Sequence, residues 1–140
     1  MCTYAQLGAQ VNRIANVLVQ ELGLVPGNRV LLRSGNNAML AATFLAVLKA
    51  GGIAMPTMPL LRTRELAEIV ERAQISHALC DARLAAAIAD ERPAFPRLKL
   101  MRCWYDDAPD SIDALAARHS AAFTAVDTDA EDVAMIAFTS

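Results

Sequence analysis

Aromatic residues are scarce in this 140-residue sequence, at 5% of the total, and charged residues make up only 20%. The hydrophobic fraction of 55% is therefore carried mostly by Ala, Leu, Val and Ile. Such a composition suits helices packed on a buried sheet and excludes a disordered chain. Basic residues are nearly all Arg and are scattered, and no rings interleave with them. With a net charge of −2, this excludes an electrostatic nucleic-acid binder. Cysteine is sparse too: Cys2, Cys80 and Cys103 lie far apart, with no CxxC and no Cys/His ligand spacing. That excludes a disulfide framework and a zinc site, and points to reduced thiols in a cytoplasmic protein. Long apolar runs are also missing. The longest helical one, Ala38 to Leu48, is about half of the ~20 residues a membrane span needs, and the N-terminus lacks the basic-then-apolar order of a signal peptide.

What is present alternates between helix and strand. Thr3 and Gln6 form a capping box before Leu7, Val11, Ile14, Leu18 and Leu22 at helical spacing, and Gly23 can end that helix left-handed. Arg29–Arg33 reads as a buried strand. Ser34–Asn37, with Asn36 and Asn37 as turn and cap residues, leads into the apolar helix that Ala50–Gly52 stops. A second strand, Ile53–Met55, is cut off by Pro56 and Pro59. Thr63 starts an amphipathic helix with Leu66, Ile69, Val70 and Ala73 on one face, and Ile75–Cys80 is a third strand. Asp81 caps an Ala-rich helix. After two prolines, a strand resumes near Leu98–Cys103, and a short helix covers Ser111–His119. The acidic turn Asp127–Asp132 precedes a final buried strand, Val133–Phe138. Short connections and continuous apolar strands predict one α/β domain: a mostly parallel sheet with helices on both faces.

No catalytic set and no metal site is complete in these residues. His77 falls inside a strand and reads as a structural histidine; His119 sits at a helix end, where a cation favours the dipole. Cys80 lies in an apolar strand, where a thiol is inert. Gly51 and Gly52 follow a helix rather than precede one, so they stop it and do not cradle phosphate. The carboxylates at 127, 129, 131 and 132 lack the glycine and distal glutamate of a calcium loop and form a solvated run. Asp106 and Asp107 belong to a surface turn.

The order of segments carries more. "TYAQL" (Thr3–Leu7), "GLVPGNRVLLRSGNN" (Gly23–Asn37), "FLAVLKAGGIAMPTMPLLRTREL" (Phe44–Leu66), "HALCD" (His77–Asp81) and "DVAMIAFTS" (Asp132–Ser140) together resemble the N-terminal subdomain of the adenylate-forming acyl- and aryl-CoA synthetases. Peptide-synthetase adenylation domains and firefly-type luciferases belong to the same superfamily. "MPLLRTREL" and "HALCDARL" look most like the benzoate and 2-aminobenzoate ligases. The resemblance implies that residues 1–140 are a partial N-terminal subdomain, ending where a T-S-G-[ST]-T-G-x-P-K loop begins. Thr139 and Ser140 would be its first two residues and would contact ATP phosphates; small residues with free N–H groups suit such a nest. It further implies ATP, Mg2+ and CoA as cofactors of a parent enzyme acting on a carboxylic acid, possibly an aromatic one. The rest of that loop, the acyl pocket, the ribose-binding Asp and the catalytic Lys would lie beyond Ser140, in the remainder of its own chain. The isolated stretch is then expected to be inactive, with no catalytic residue. Two alternatives stand beside this: an adenylation domain that loads a carrier protein, and a self-contained α/β binding module.

Overall fold

The computed structural model describes residues 3–137. The first helix, α1 (Tyr4–Asn16), starts at the expected capping box: Thr3 Oγ1 accepts from the Gln6 amide at 3.1 Å, and Gln6 Oε1 accepts from the Thr3 amide at 2.9 Å. Its last turn, Val17–Glu21, widens to a π-helix, with the Leu22 amide bonded to the Val17 carbonyl at 3.0 Å. Gly23 then reverses the chain at φ +65°, as a left-handed terminator should. β1 (Arg29–Arg33) follows, and α2 (Ala38–Lys49) is capped by Asn37, whose Oδ1 accepts from the Leu40 amide at 2.9 Å.

β2 (Ile53–Thr57) runs two residues past its expected end at Met55 and contains Pro56. The register explains the tolerance. Ile53, Met55 and Thr57 face Arg29, Leu31 and Arg33 of β1, so the missing N–H of Pro56 points away from β1, toward the outer edge. α3 (Thr63–Ala73) ends at Gln74 with φ +54°. β3 (His77–Asp81) and β4 (Leu100–Trp104) complete the sheet. The Ala-rich segment between them is less helical than expected: a 3-10 turn at Ala82–Leu84, then only α4 (Ala86–Ala89). α5 (Ile112–Ala116) is likewise shorter than Ser111–His119, with Ser111 as its cap.

The sheet order is β2-β1-β3-β4 and every pairing is parallel. Helices cover both faces, as the apolar strands required. Val30, Leu32, Ala54, Leu79 and Trp104 pack against α1, α2 and α5; Leu31, Met55 and Ala78 pack against α3, α4 and the Phe95 segment. Among the described residues no helix is long and apolar enough to cross a membrane.

The expected buried strand at Val133–Phe138 is the main correction. Only Met135 pairs, through one parallel bridge to Ala54: the Ala54 amide reaches Ala134 O at 2.9 Å and the Ile136 amide reaches Ala54 O at 3.0 Å. Val133 and Met135 are 57% and 50% exposed. The next bond of this ladder would need an N–H from residue 56, and proline has none. Val133 and Met135 therefore ride along the edge of the sheet, while Ile136 packs, partly buried, against the cluster that holds Leu66 and Val70. Phe138, Thr139 and Ser140 lie outside the described residues.

Candidate functional site

In a parallel sheet of this order the chain leaves β1 for β2 on one side, then crosses to β3 on the other. The connections after β1 and β3 diverge, and the crevice between them at the carboxyl ends is where open α/β sheets hold ligands. Here the carboxyl ends of β1 and β3 carry a hydrogen-bonded cluster of Ser34, Asn37, Asp81 and Arg83.

Asn37 spends its Oδ1 on capping α2, which aims its Nδ2 at Ser34 Oγ (2.9 Å) and Asp81 Oδ2 (3.3 Å). Asp81 is 1% exposed and is surrounded by donors. Its Oδ1 accepts from the Arg83 amide at 2.9 Å and from Arg83 Nε at 3.0 Å, and its Oδ2 accepts from Arg83 Nη2 at 2.6 Å. The Arg83 guanidinium, helped by the Arg83 amide and by Asn37, holds the Asp81 carboxyl below the usual carboxylate range against the burial that would raise it. Asp81 is thus an ionised structural anchor and not a general acid. The outer side of Arg83 lies 5.9 Å over the ring of Tyr105, whose backbone is left-handed at φ +55°. Arg33, itself buried, donates from Nε to Leu84 O at 2.9 Å and from Nη1 to Met58 O at 3.4 Å, tying down the loops after β3 and β2. Arg33, Asp81 and Arg83 at the carboxyl edge are thus each engaged in hydrogen bonds.

None of the other sequence candidates is poised for chemistry. His77 is buried, with Nε2 donating to Leu22 O at 2.8 Å and Nδ1 accepting from Ser76 Oγ at 2.6 Å in the tautomer this pairing selects. Burial lowers its pKa, against the Leu22 bond that raises it and with a small further lowering from Lys99. A base held neutral in the folded state stabilises fully above its unfolded pKa of about 6.5, and that contribution fades as pH falls through the lower folded value. His77→Phe should accordingly cost about 1–3 kcal/mol near neutrality, because Leu22 O loses its donor. Urea titrations across pH should show the gap to the parent narrowing toward pH 5; a constant gap would contradict a neutral, buried imidazole.

Burial pushes the Cys80 thiol up to about 12, and burial also raises that of Cys103 beside it on β4, so neither environment favours a thiolate. His119 does more than end a helix: its Nε2 lies 3.0 Å from Glu21 Oε1. Gly51 stops α2 at φ +83°. Asp127, Asp129, Glu131 and Asp132 are exposed, and the Asp129 amide donates to Asp132 Oδ2 at 2.8 Å, an ordinary turn. Among the described residues no His, Cys, Asp or Glu side chains group as a metal site. Sequence reasoning takes Asp81 only as a cap and passes over Arg33 and Arg83. The signal for them is positional, polar residues at or just after the ends of two buried strands.

Comparison with known proteins covers the whole chain. The family model described as AMP-binding enzyme matches residues 1–140. The crystal structure of apo MatB from Rhodopseudomonas palustris is 30% identical and superposes with a TM-score of 0.86, over 99% of this chain and 27% of that one. A fatty acyl CoA synthetase of Mycobacterium tuberculosis gives a TM-score of 0.88 at 27% identity, again over 99% of this chain and 27% of that one. A linear gramicidin synthase of Brevibacillus parabrevis is 30% identical over 138 residues, which are 99% of this chain and 2% of that protein. The chain thus spans about a quarter of the two solved relatives.

Proposed function

The chain belongs to the AMP-binding enzyme family, and from that premise we propose that it is the leading part of an ATP-dependent ligase that activates a carboxylic acid. In the first step a carboxylate oxygen would attack the α-phosphorus of ATP, breaking the bond to the β-phosphate bridge and releasing pyrophosphate. In the second, the thiol of CoA would attack the acyl carbon of the acyl-adenylate and AMP would leave. Positioning and charge stabilisation supply most of the rate in such transfers.

The observation that carries this reading is the course of the tail. Residues 134–136 run parallel to β2, toward the carboxyl edge of the sheet. The place of Thr139 and Ser140 in sequence matches the first two residues of a T-S-G phosphate loop. No described residue is assigned to the reacting atoms or to Mg2+; Ser34, Asn37, Asp81 and Arg83 are bonded to one another or to main chain. The described part of the chain is the scaffold that launches the loop.

CoA as acceptor is supported by the fatty acyl CoA synthetase relative, and an aromatic acid by the segments Met58–Leu66 and His77–Leu84. The gramicidin synthase relative favours a second reading, in which a carrier protein takes the place of CoA. A cytoplasmic setting follows from reduced thiols and a CoA-dependent reaction. The test is carboxylate-dependent exchange of pyrophosphate into ATP by a polypeptide extended past residue 140, over a panel of aromatic and aliphatic acids. Exchange should appear with the extended chain and be absent from the 140-residue chain; turnover by the latter alone would overturn the scaffold assignment. Thioester formation with CoA against a phosphopantetheinylated carrier then separates the two acceptors.

A further inference from the structure

Between α5 and the tail, residues 119–126 form an irregular strap, neither helix nor strand, bonded to α1 and the end of α2. Four consecutive main-chain carbonyls of the strap are each taken by a side chain of α1. Arg13 Nη1 donates to His119 O at 2.5 Å, and Asn12 Nδ2 donates to Ala121 O at 2.9 Å. Asn16 Nδ2 donates to Ser120 O at 2.8 Å and to Ala122 O at 3.1 Å. Both asparagines are oriented from behind: Lys49 Nζ donates to Asn12 Oδ1 at 2.6 Å, and Gln20 Nε2 to Asn16 Oδ1 at 3.1 Å. With each oxygen engaged, each amide nitrogen is turned to the strap. The far end is closed by Lys49 again, whose carbonyl accepts from the Val126 amide at 2.8 Å.

Asn12 and Asn16 stand four residues apart, on one face of α1. Asparagine is a poor residue for a helix interior, so these two are present against local preference. They read only main chain, which fixes where the strap lies without regard to its side chains. Downstream, the described tail is held to β2 by one bridge at Ala54 and by Ile136, partly buried against the cluster that holds Leu66 and Val70. The strap supplies the other fixed point.

We infer that Asn12 and Asn16 are positioning residues for the adenylation step. They anchor the strap, the strap anchors Val126, and Val126 with the reinforced turn at Asp129 and Asp132 sets residues 134–136 on β2. This rests on the reading of the tail as the approach to a phosphate loop. A loop launched from a shifted tail meets the nucleotide out of line, and misplacement by about 1 Å costs on the order of 100-fold in rate.

The test has two arms. In the 140-residue chain, Asn16→Ala should speed hydrogen exchange at the Val126 and Ile136 amides by about 10-fold or more, as local opening without global unfolding does, and leave β1 and β3 amides unchanged. In the extended polypeptide the same variant should cut kcat of ATP–pyrophosphate exchange about 10- to 100-fold and raise the KM for ATP, with the KM for the acid steady. Val70→Ala, in the cluster on the opposite face against which Ile136 rests, is the control: it should lower Tm and move neither the Val126 amide nor the KM for ATP. Asn12→Ala, at a half-exposed site, carries the same test should Asn16→Ala fail to fold. Unchanged exchange at Val126 and Ile136 overturns the anchoring, and kinetics matching those of Val70→Ala overturn the positioning role. If the extended wild-type polypeptide gives no ATP–pyrophosphate exchange, the ligase reading and with it the catalytic role fall, while hydrogen exchange still decides the strap.

Discussion

Trp104→Ala should lower the free energy of unfolding by about 3–5 kcal/mol, the range for deleting a large buried aromatic. Trp104 is fully buried at the end of β4, in the cluster that also holds Ile112, Leu115 and Ala116 of α5. β4 is an edge strand and α5 has only five residues, so little else secures this corner. Against a typical total of about 5–15 kcal/mol, the loss is a large share of the stability. The indole also has a cost: its Nε1 is buried without an acceptor among the described residues, and an orphaned donor costs about 1–3 kcal/mol. Trp104→Phe deletes that donor and keeps most of the ring. Its lost area and its relieved nitrogen oppose one another, so the variant should stay within about 1–2 kcal/mol of the parent. Urea denaturation of the three proteins decides the matter. A Phe variant as damaged as the Ala variant would mean that Nε1 is bonded, for example to a buried water.

Gly51→Ala is the second large effect, at about 2–5 kcal/mol. Two costs add. The backbone stands at φ +83°, where an L side chain is disfavoured by about 1–2 kcal/mol. A Cβ there would also lie 3.2 Å from both Pro26 Cβ and Val126 Cγ1, and forced contacts of that kind cost about 1–3 kcal/mol. Pro26 cannot swing aside easily, since the neighbouring Gly27 amide is bonded to Gly51 O at 2.9 Å. Gly23 provides the control. It has φ +65°, but no atom lies within 4 Å of where its Cβ would stand, so Gly23→Ala should show the backbone cost alone, about 1–2 kcal/mol. Equal melting losses in the two variants would remove the crowding argument and leave conformation as the whole effect.

The elements that sequence reasoning places well are those whose ends are written in short-range chemistry. Thr3 with Gln6, Asn37 before Leu40, and Gly23 after Leu22 each act within about four residues, and each does what its type suggests. Where a neighbour in space decides, sequence and structure part. Pro56 ought to cut β2 short, yet the strand continues because its missing N–H faces the outer edge. The Ala-rich stretch after Asp81 has the propensity for a helix but only four residues of one, and so short a helix gains little from propensity. The apolar run Val133–Phe138 implies burial, but among its described residues Val133 and Met135 stay exposed and Ile136 is only partly buried.

The candidate site divides along the same line. The parallel α/β architecture is legible because hydrophobic period and caps are local properties, and the family because its motifs stand in a recognisable order; the proposed place of Thr139 and Ser140 in a phosphate loop rests on that resemblance. The sequence could not show that Asn37 from one loop meets Asp81 from another, or that Arg33 ties Met58 to Leu84. Neither could it show that Asn12 and Asn16 hold a strap more than 100 residues away. Those pairings depend on which strands lie side by side and which helix faces point outward. Only the tertiary structure decides that, because a hydrogen bond between distant residues exists only once the burial of many apolar side chains has brought their elements together.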